Sequence, residues 1–387
     1  MAVELNELMK KADRMGIVRI AGQENEDRPV SWIHMVETPA AAEFLNGGEI
    51  AVATGSGLKK ETDLLPLVHA VFEKKASAML INTGPYIPRI PEDVIRFCAQ
   101  NDFPLFSVPW RVHLSDLTRI FCLEITKDRQ KMQETAAAFE NAIFFPKEEE
   151  LYVIPLSGRG FQSEWKYAVC MFCLQNCSGE TEKRLEKIAF NLSTYARRRY
   201  EKCVIFTHDR EILIVAADYP ENGLRTLIEN LRSRALASLL PGEKLTAGCG
   251  RLTKSIRCLY KSYRQAGSIQ RLQAKGKTDP SLIFYPDMGL FQILMDVDDP
   301  EIMREYCSRT IGPLIRYDEK NDSDLLQVLR TYLDHDGSVK ETAAVLYAHR
   351  NTINYKLNRI SEILDRNLSS LNTRLELKIG FLLEDML

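Results

Sequence analysis

No run of apolar residues in this 387-residue chain approaches the ~20 that a helical bilayer crossing requires, so a helical membrane span is excluded. Charge of one sign is missing as well. Lys and Arg number 51 against 53 Asp and Glu, a formal net charge of −2, and no global basic field advertises nucleic acid. Any contact with phosphate must therefore be local. The nine cysteines have no framework spacing, and an odd count in a long chain points to reduced thiols and a cytoplasmic location. The opening Met1-Ala2-Val3-Glu4-Leu5-Asn6-Glu7 carries acids where a signal peptide would carry basic residues, so none is expected. Internal repeats and low-complexity tracts are absent. What remains is an ordinary globular composition, 45% hydrophobic and 27% charged, long enough for two or three domains at roughly 150 residues each.

Recognisable catalytic and ligand motifs are scarce too. No Ser or Cys sits in a G-x-S-x-G elbow, and the six histidines suggest no triad. Gly55-Ser56-Gly57-Leu58-Lys59-Lys60 lies between a strand and a helix, where backbone N–H groups could receive an anion, but it lacks the Walker spacing. The plainer reading is a surface turn. Cys170, Cys173 and Cys177 have ligand-like spacing, yet no fourth ligand stands nearby, and in a strand Cys170 and Cys173 point to opposite faces. They read as small core residues. No metal, cofactor or catalytic residue is expected.

The first 126 residues predict an α/β domain. Residues 49–54 form a short apolar strand, 62–75 an amphipathic helix, 78–83 a strand stopped by Gly84-Pro85, 91–100 a helix and 104–108 a third strand. Alternation of this kind implies a parallel sheet, with residues 18–21 and 30–36 as further strands beside it. Such sheets bind ligands at the carboxyl ends of their strands. That places the expected site for a small-molecule effector at Thr54, Gly55, Ser56, Gly57, Asn82, Thr83, Gly84 and Trp110.

Between His113 and Phe145 there is neither glycine nor proline, and Phe121, Ile125, Met132, Ala136, Phe139 and Ile143 fall near heptad spacing. A long helix follows, of which 127–149 forms a connector. Two uses are open for it: packing on its own domain, or pairing with a second copy of the chain. A second α/β pattern occupies 150–278, with strands at 167–174, 203–206, 212–216 and 245–250 and helices at 180–200, 224–240 and 253–275. Residues 279–320 read as a linker.

The last segment, 321–387, is the most informative. Residues 324–333 predict a helix with Leu325, Leu326, Leu329 and Leu333 on one face. Ser338 and Glu341 are spaced as a capping box opening a short helix over 339–346 that buries Val339, Ala343 and Leu346, and Ala343 and Ala344 allow a close helix crossing. After Tyr347-Ala348-His349 comes a helix with Ile353, Leu357, Ile360 and Leu364 in one stripe. Its other face carries His349, Arg350, Asn351, Thr352, Asn354, Tyr355, Lys356, Asn358 and Arg359, the types that contact phosphates and base edges. No acid occurs from residue 342 to 361, so phosphates can approach. Short helix, turn and polar helix together predict a helix-turn-helix on double-stranded DNA. A terminal helix with Leu371, Leu375, Ile379, Leu382 and Met386 is expected to support this head or a dimer.

Residues 325–386 resemble the C-terminal helix-turn-helix of PucR/CdaR-type bacterial transcription regulators, through His349-Arg350-Asn351-Thr352 followed by Tyr355, Leu357 and Ile360. Upstream, Gly47-Gly48-Glu49-Ile50, Thr54-Gly55, Ile90-Pro91-Glu92, Pro104-Leu105 and Val108-Pro109 resemble the PucR-type N-terminal sensor domain. Residues 150–278, with Gly248-Cys249-Gly250 and Tyr263-Arg264-Gln265-Ala266, resemble a degenerate GGDEF-like domain of α+β type. The resemblance implies an α/β multidomain regulator ending in an all-α head. It would be a metabolite-responsive activator of a catabolic operon, such as one of purine, ureide or other nitrogen metabolism, binding inverted-repeat operator DNA as a homodimer. The alternative is an enzyme with residual nucleotide cyclase or phosphodiesterase-like activity in the middle domain. A cyclase of this type needs a glycine pair in its hairpin, where this chain has Thr207-His208-Asp209-Arg210-Glu211. Asp209 and Glu211 therefore read as solvated turn acids.

Overall fold

The computed structural model describes residues 3–22, 28–58, 63–176, 181–297 and 299–387. Lys59, Lys60, Thr62, Cys177 and Glu180 of the readings above lie outside the described residues. By contacts the chain divides into two units, one of Met1–Asn141, Glu150–Gly160 and Lys187–Val204, the other of Ala142–Glu149, Phe161–Glu186 and Ile205–Leu387.

The first unit is built on a five-stranded sheet. In chain order it contains β1 (Val3–Glu4), α1 (Leu5–Lys11), β2 (Val18–Ala21), β3 (Pro29–Val30), β4 (Trp32–Met35), β5 (Glu49–Ala53), α2 (Leu64–Glu73), β6 (Ala78–Thr83), α3 (Glu92–Gln100), β7 (Leu105–Pro109) and most of α4 (Leu114–Phe144), then α5 (Val153–Ser157). The strand order is β2-β7-β6-β5-β4. β4 to β7 run parallel, and β2 joins β7 antiparallel at the edge. Central parallel strands are covered on both faces, and β5 is buried at every position, whereas the edge strand β4 leaves Trp32 and Met35 exposed. Alternate residues go to opposite cores: Ala51, Ala53, Met79 and Ile81 pack with α2 and α3, while Ile50, Val52, Ala78 and Leu80 pack with α1 and α4.

The expected strand over 30–36 is two strands. Val30 pairs antiparallel with Val3, and Trp32 pairs parallel with Glu49. The chain changes partner at Ser31, whose N–H donates to Gly48 O at 2.8 Å. The glycine-free and proline-free stretch is one unbroken helix, α4, of 31 residues. Four of its six heptad-like residues, Phe121, Ile125, Phe139 and Ile143, are buried within the chain, and Met132 and Ala136 are half-buried. The apolar seam that suggested pairing with a second copy is therefore spent largely on the chain's own cores.

The second unit contains β8 (Tyr167–Gln175), the start of α6 (Thr181–Arg197), most of β9 (Cys203–His208), β10 (Glu211–Ala217), α7 (Glu221–Ala237), β11 (Lys244–Cys249) and α8 (Leu259–Ala274). Its sheet has the order β11-β8-β10-β9, and β8 is antiparallel to both neighbours. The helix expected from residue 253 starts six residues later, after a single 3-10 turn at Ile256–Cys258. Gly250 and Thr253 N–H groups still donate to Val169 O and Tyr167 O, and Thr253 Oγ1 donates to Tyr167 O at 3.1 Å. Those bonds hold the segment to the sheet and keep it out of the helix. Cys170 is buried and Cys173, nearer the end of β8, is half-buried.

Residues 279–320, expected as a linker, hold α9 (Phe291–Leu294), α10 (Pro300–Thr310) and α11 (Gly312–Asn321). The head follows with α12 (Leu325–Asp334), α13 (Val339–Val345), α14 (Arg350–Leu364) and α15 (Leu371–Met386). Ile311 and Leu314 belong to the same core as α12, α14 and α15. Of the residues expected on α15, Leu371 and Leu375 are exposed and Ile379, Leu382 and Met386 are half-buried, while full burial falls on Leu377, Gly380, Phe381 and Leu383. Gly380 decides this, since a Cβ there would stand 2.6 Å from Thr310 Oγ1. Close approach of α10 and α15 turns the helix about that glycine.

Candidate functional site

The head presents the polar face that its sequence promised. Ile353, Leu357, Ile360 and Leu364 are all buried, as the stripe required. Burial of that stripe points Arg350, Asn351, Thr352, Asn354, Tyr355, Asn358 and Arg359 outward, and every one of them is exposed. Ser338 caps α13, its Oγ accepting from Glu341 N–H at 3.3 Å. Of the residues expected to be buried in α13, Ala343 is buried, Val339 and Leu346 are half-buried, and Ala344 is exposed. Thr342 takes the crossing position with Ala343, fully buried, its Oγ1 donating to Ser338 O at 2.7 Å.

The turn into α14 is closed by Ala348 N–H on Ala343 O at 3.0 Å. It needs a left-handed residue, and Tyr347 supplies it at φ 51°. A non-glycine residue there costs roughly 1 to 2 kcal/mol. Its ring is 98% exposed beside the first turn of α14. Tyr347 lies outside the polar residues of α14 itself, because turn conformation, not residue class, brings it forward. His349 is the N-cap of α14, with Nδ1 facing Asn351 N–H at 3.2 Å. The positive end of the helix dipole therefore lies where the exposed donors begin.

Two cations on this face are not free-standing. Lys356 Nζ meets both carboxylate oxygens of Asp324, at 2.5 and 2.6 Å. Arg359 stacks over Tyr317 and pairs with Glu362 at 2.8 Å, which raises its pKa above the usual guanidinium value, with the Tyr317 hydroxyl as the first cause. The acid-free run from 342 to 361 is thus a property of the segment, and Asp324 and Glu362 bring carboxylates to its surface. Asp318 plays a different part that the sequence reading missed. Its Oδ1 and Oδ2 accept from Leu325 and Leu326 N–H at 3.1 and 2.7 Å, capping α12 from the end of α11.

The eight strand-end residues lie at the ends of three neighbouring strands. Thr54 to Gly57 follow β5, Asn82 to Gly84 close β6, and Trp110 follows β7. Gly84 lies against Trp110, where a Cβ would be 2.5 Å from the ring, and Gly55 lies against Ile87 and Tyr86. Tyr86 and Trp110, both about half exposed, meet edge to face with centroids 6.0 Å apart. Asn82 is buried and donates to Val108 O at 3.2 Å, and Thr83 Oγ1 lies 3.0 Å from Ser107 Oγ. Of the N–H groups of residues 55–58 read as part of an anion cradle, those of Gly55, Ser56 and Leu58 have internal partners. Thr54 N–H and Oγ1 donate to Glu37 Oε1 at 2.9 and 2.7 Å, and Gly55 N–H donates to Glu37 Oε2 at 3.0 Å. Gly57 packs on the Glu37 backbone, where a Cβ would be 2.8 Å from its carbonyl oxygen.

In the middle sheet the hairpin tip is a tight turn with Asp209 at φ 48°. Asp209 has an 88% exposed side chain 3.7 Å from His208. Glu211 is different: desolvation pushes its pKa up, against a hydrogen bond from Tyr263 at 3.3 Å. The two acids therefore do not form a matched pair.

Three family models match in chain order. Residues 7–125 match the purine catabolism regulatory protein-like family, 157–272 a GGDEF-like domain, and 325–383 the PucR C-terminal helix-turn-helix domain. Among curated proteins of Bacillus subtilis, the proline-responsive transcriptional activator PutR is 24% identical over 225 residues, 56% of this chain and 53% of PutR. The DNA-binding transcriptional activator AdeR is 22% identical over 214 residues, 54% of this chain and 50% of AdeR. The purine catabolism regulatory protein is 26% identical over 145 residues, 37% of this chain and 26% of that protein. The chain spans about half the length, or less, of these curated relatives. With an N-terminal PucR-type sheet domain, a GGDEF-like middle and a PucR-type helix-turn-helix in that order, the chain belongs to the PucR family.

Proposed function

We propose that this protein is a cytoplasmic, metabolite-responsive transcription regulator whose head binds operator DNA through α14. One observation carries the reading: seven polar side chains with donors stand exposed on the outer face of a helix whose inner stripe is wholly buried, at the end where the helix dipole is positive. Arg350, Asn351, Asn354 and Asn358 suit base edges, and Thr352, Tyr355, Tyr347 and Arg359 suit phosphate or its flanks. Lys356 reaches phosphate only by leaving Asp324. The chain acts as a homodimer, since two heads spaced by one turn of DNA, about 34 Å, multiply the modest affinity of one. Its operator is then an inverted repeat.

The effector is a small metabolite bound at the ends of β5, β6 and β7, next to Tyr86 and Trp110. PutR is named for its response to proline and as an activator, and another relative for purine catabolism, which supports catabolic genes as targets and activation as the mode. Binding-site selection from random duplexes, followed by fluorescence anisotropy, tests the DNA reading. The expected result is an enriched inverted repeat whose affinity falls when Arg350 and Asn354 are both changed to Ala. Unchanged affinity in that double variant would sink the assignment.

A further inference from the structure

The last turn of α15 leaves the head and enters the middle domain. Asp385 is buried, and its carboxylate accepts from Arg330 of α12 at 2.8 and 3.0 Å and from Lys277, just beyond α8, at 2.9 Å. Burial alone would raise its pKa, but these bonds and charges outweigh it and hold the carboxyl below the usual aspartate value. Lys275 Nζ donates to Asp385 O at 3.3 Å. Met386, next in the chain, packs against Ile269, Leu272, Tyr285, Met288 and Met295.

Beside that turn lies a cavity of about 240 Å³. Its apolar wall is made largely of thioethers, Met171, Met295, Met303 and Met386. Unbranched thioether chains adapt to ligands of varied outline. The polar side holds Arg264, Arg271 and Glu211 with Tyr263. Glu211 is engaged by Tyr263, whereas Arg271 hydrogen-bonds Ser268 Oγ at 3.1 Å and, among the described residues, reaches no carboxylate at ion-pair distance. The volume is below the roughly 300 to 1,000 Å³ of sites for drug-sized ligands, which restricts the occupant to a small molecule.

We propose that this cavity is a ligand site for a small amphipathic carboxylate, its apolar tail among the four methionines and its carboxylate on Arg271. It is distinct from the strand-end loops of the N-terminal sheet. Occupancy fixes Met386 and so the turn carrying Asp385, which links α8 to α12. The ligand is thereby felt at the base of the head.

Methyl NMR of the full chain with labelled methionine, titrated with octanoate, tests this. Met→Leu variants assign the signals. The expected result is saturable shifts of Met295, Met303 and Met386, with slower hydrogen exchange in the last turn of α15. Octan-1-ol, of similar length without the charge, binds more weakly, and Arg271→Gln weakens octanoate roughly tenfold, as the loss of a charge-assisted pair predicts. Arg271 is exposed, so the variant should fold. Absence of saturable shifts at these methyls overturns the site. Equal binding of octanoate and octan-1-ol, or no effect of Arg271→Gln, overturns the ligand class. Neither outcome touches the DNA reading, because no DNA is present.

Discussion

The outer face of α14 and the loops after β5, β6 and β7 are both polar clusters on rigid supports, yet they spend their donors in opposite ways. On α14 most side chains point to solvent and, among the described residues, have no internal partner to surrender. At the strand ends Asn82, Thr83, Thr54 and the N–H of Gly55 are already bonded within the domain. The proposed DNA face thus keeps its donors unspent, while the proposed effector site would have to exchange bonds to bind. The two exceptions on α14, Lys356 and Arg359, mark where the contrast can be tested.

The largest effect should come from undermining the platform. Ile353 is buried beneath the outer face, and Ile353→Ala should cost about 2 to 5 kcal/mol in chemical denaturation and abolish specific DNA binding, leaving the first sheet's far-ultraviolet signal in place. Retention of specific binding would mean that the face does not depend on that stripe. Next, Asp385→Asn should destabilise by about 2 to 3 kcal/mol, less than a fully buried pair because Arg330 is partly exposed. Since the folded pKa of Asp385 is lowered, the wild-type advantage is present above an ordinary aspartate value near about 3.9 and disappears as pH falls through the folded value. Acid titration of both proteins checks this; a constant difference down to the lowest pH would refute it.

Arg350→Ala should lose about 1 to 3 kcal/mol in operator binding and relax sequence preference at one position, measured by anisotropy against mutated duplexes. Equal loss on all duplexes would make Arg350 a phosphate contact. Glu37→Gln probes the other region: removing the charge from three short hydrogen bonds should cost about 1 kcal/mol locally, seen as faster amide exchange at Thr54 and Gly55 with little change elsewhere. The smallest effect is expected for Asp324→Asn. It frees Lys356 and removes a carboxylate from the face, so DNA binding should tighten by a few tenths to about 1 kcal/mol with a steeper salt dependence. Weaker binding would show that Asp324 positions Lys356 for its contact.

Much of this layout was legible in the chain. Four buried residues of α14, the strand 78–83 and the unbroken α4 follow from periodicity and from missing glycine or proline. The failures share one cause, which is that a linear pattern shows a residue's class and not its partner. Asp318, Asp324 and Glu37 are each ordinary acids until the fold brings them to a helix end, a lysine or a pair of amides. On α15 the leucine spacing included Leu371 and Leu375, which are exposed, and contact of Gly380 with Thr310 shifts full burial to Leu377, Gly380 and Phe381. Tyr347 was invisible as a feature of the turn because glycine or asparagine is the usual occupant of its backbone conformation.

Glu37 also behaves as a tethered competitor. Its carboxylate occupies the amides of Thr54 and Gly55 at the high effective concentration of a group on the same chain, so an anion arriving from solution meets a rival that never diffuses away. The apparent affinity for such a visitor is the intrinsic affinity scaled by the fraction of time the amides stand vacant. A cationic or neutral visitor faces no such rivalry and can accept Glu37 as a ligand. In the proposed effector site the loop would therefore sort its callers by charge before any side chain reads their shape.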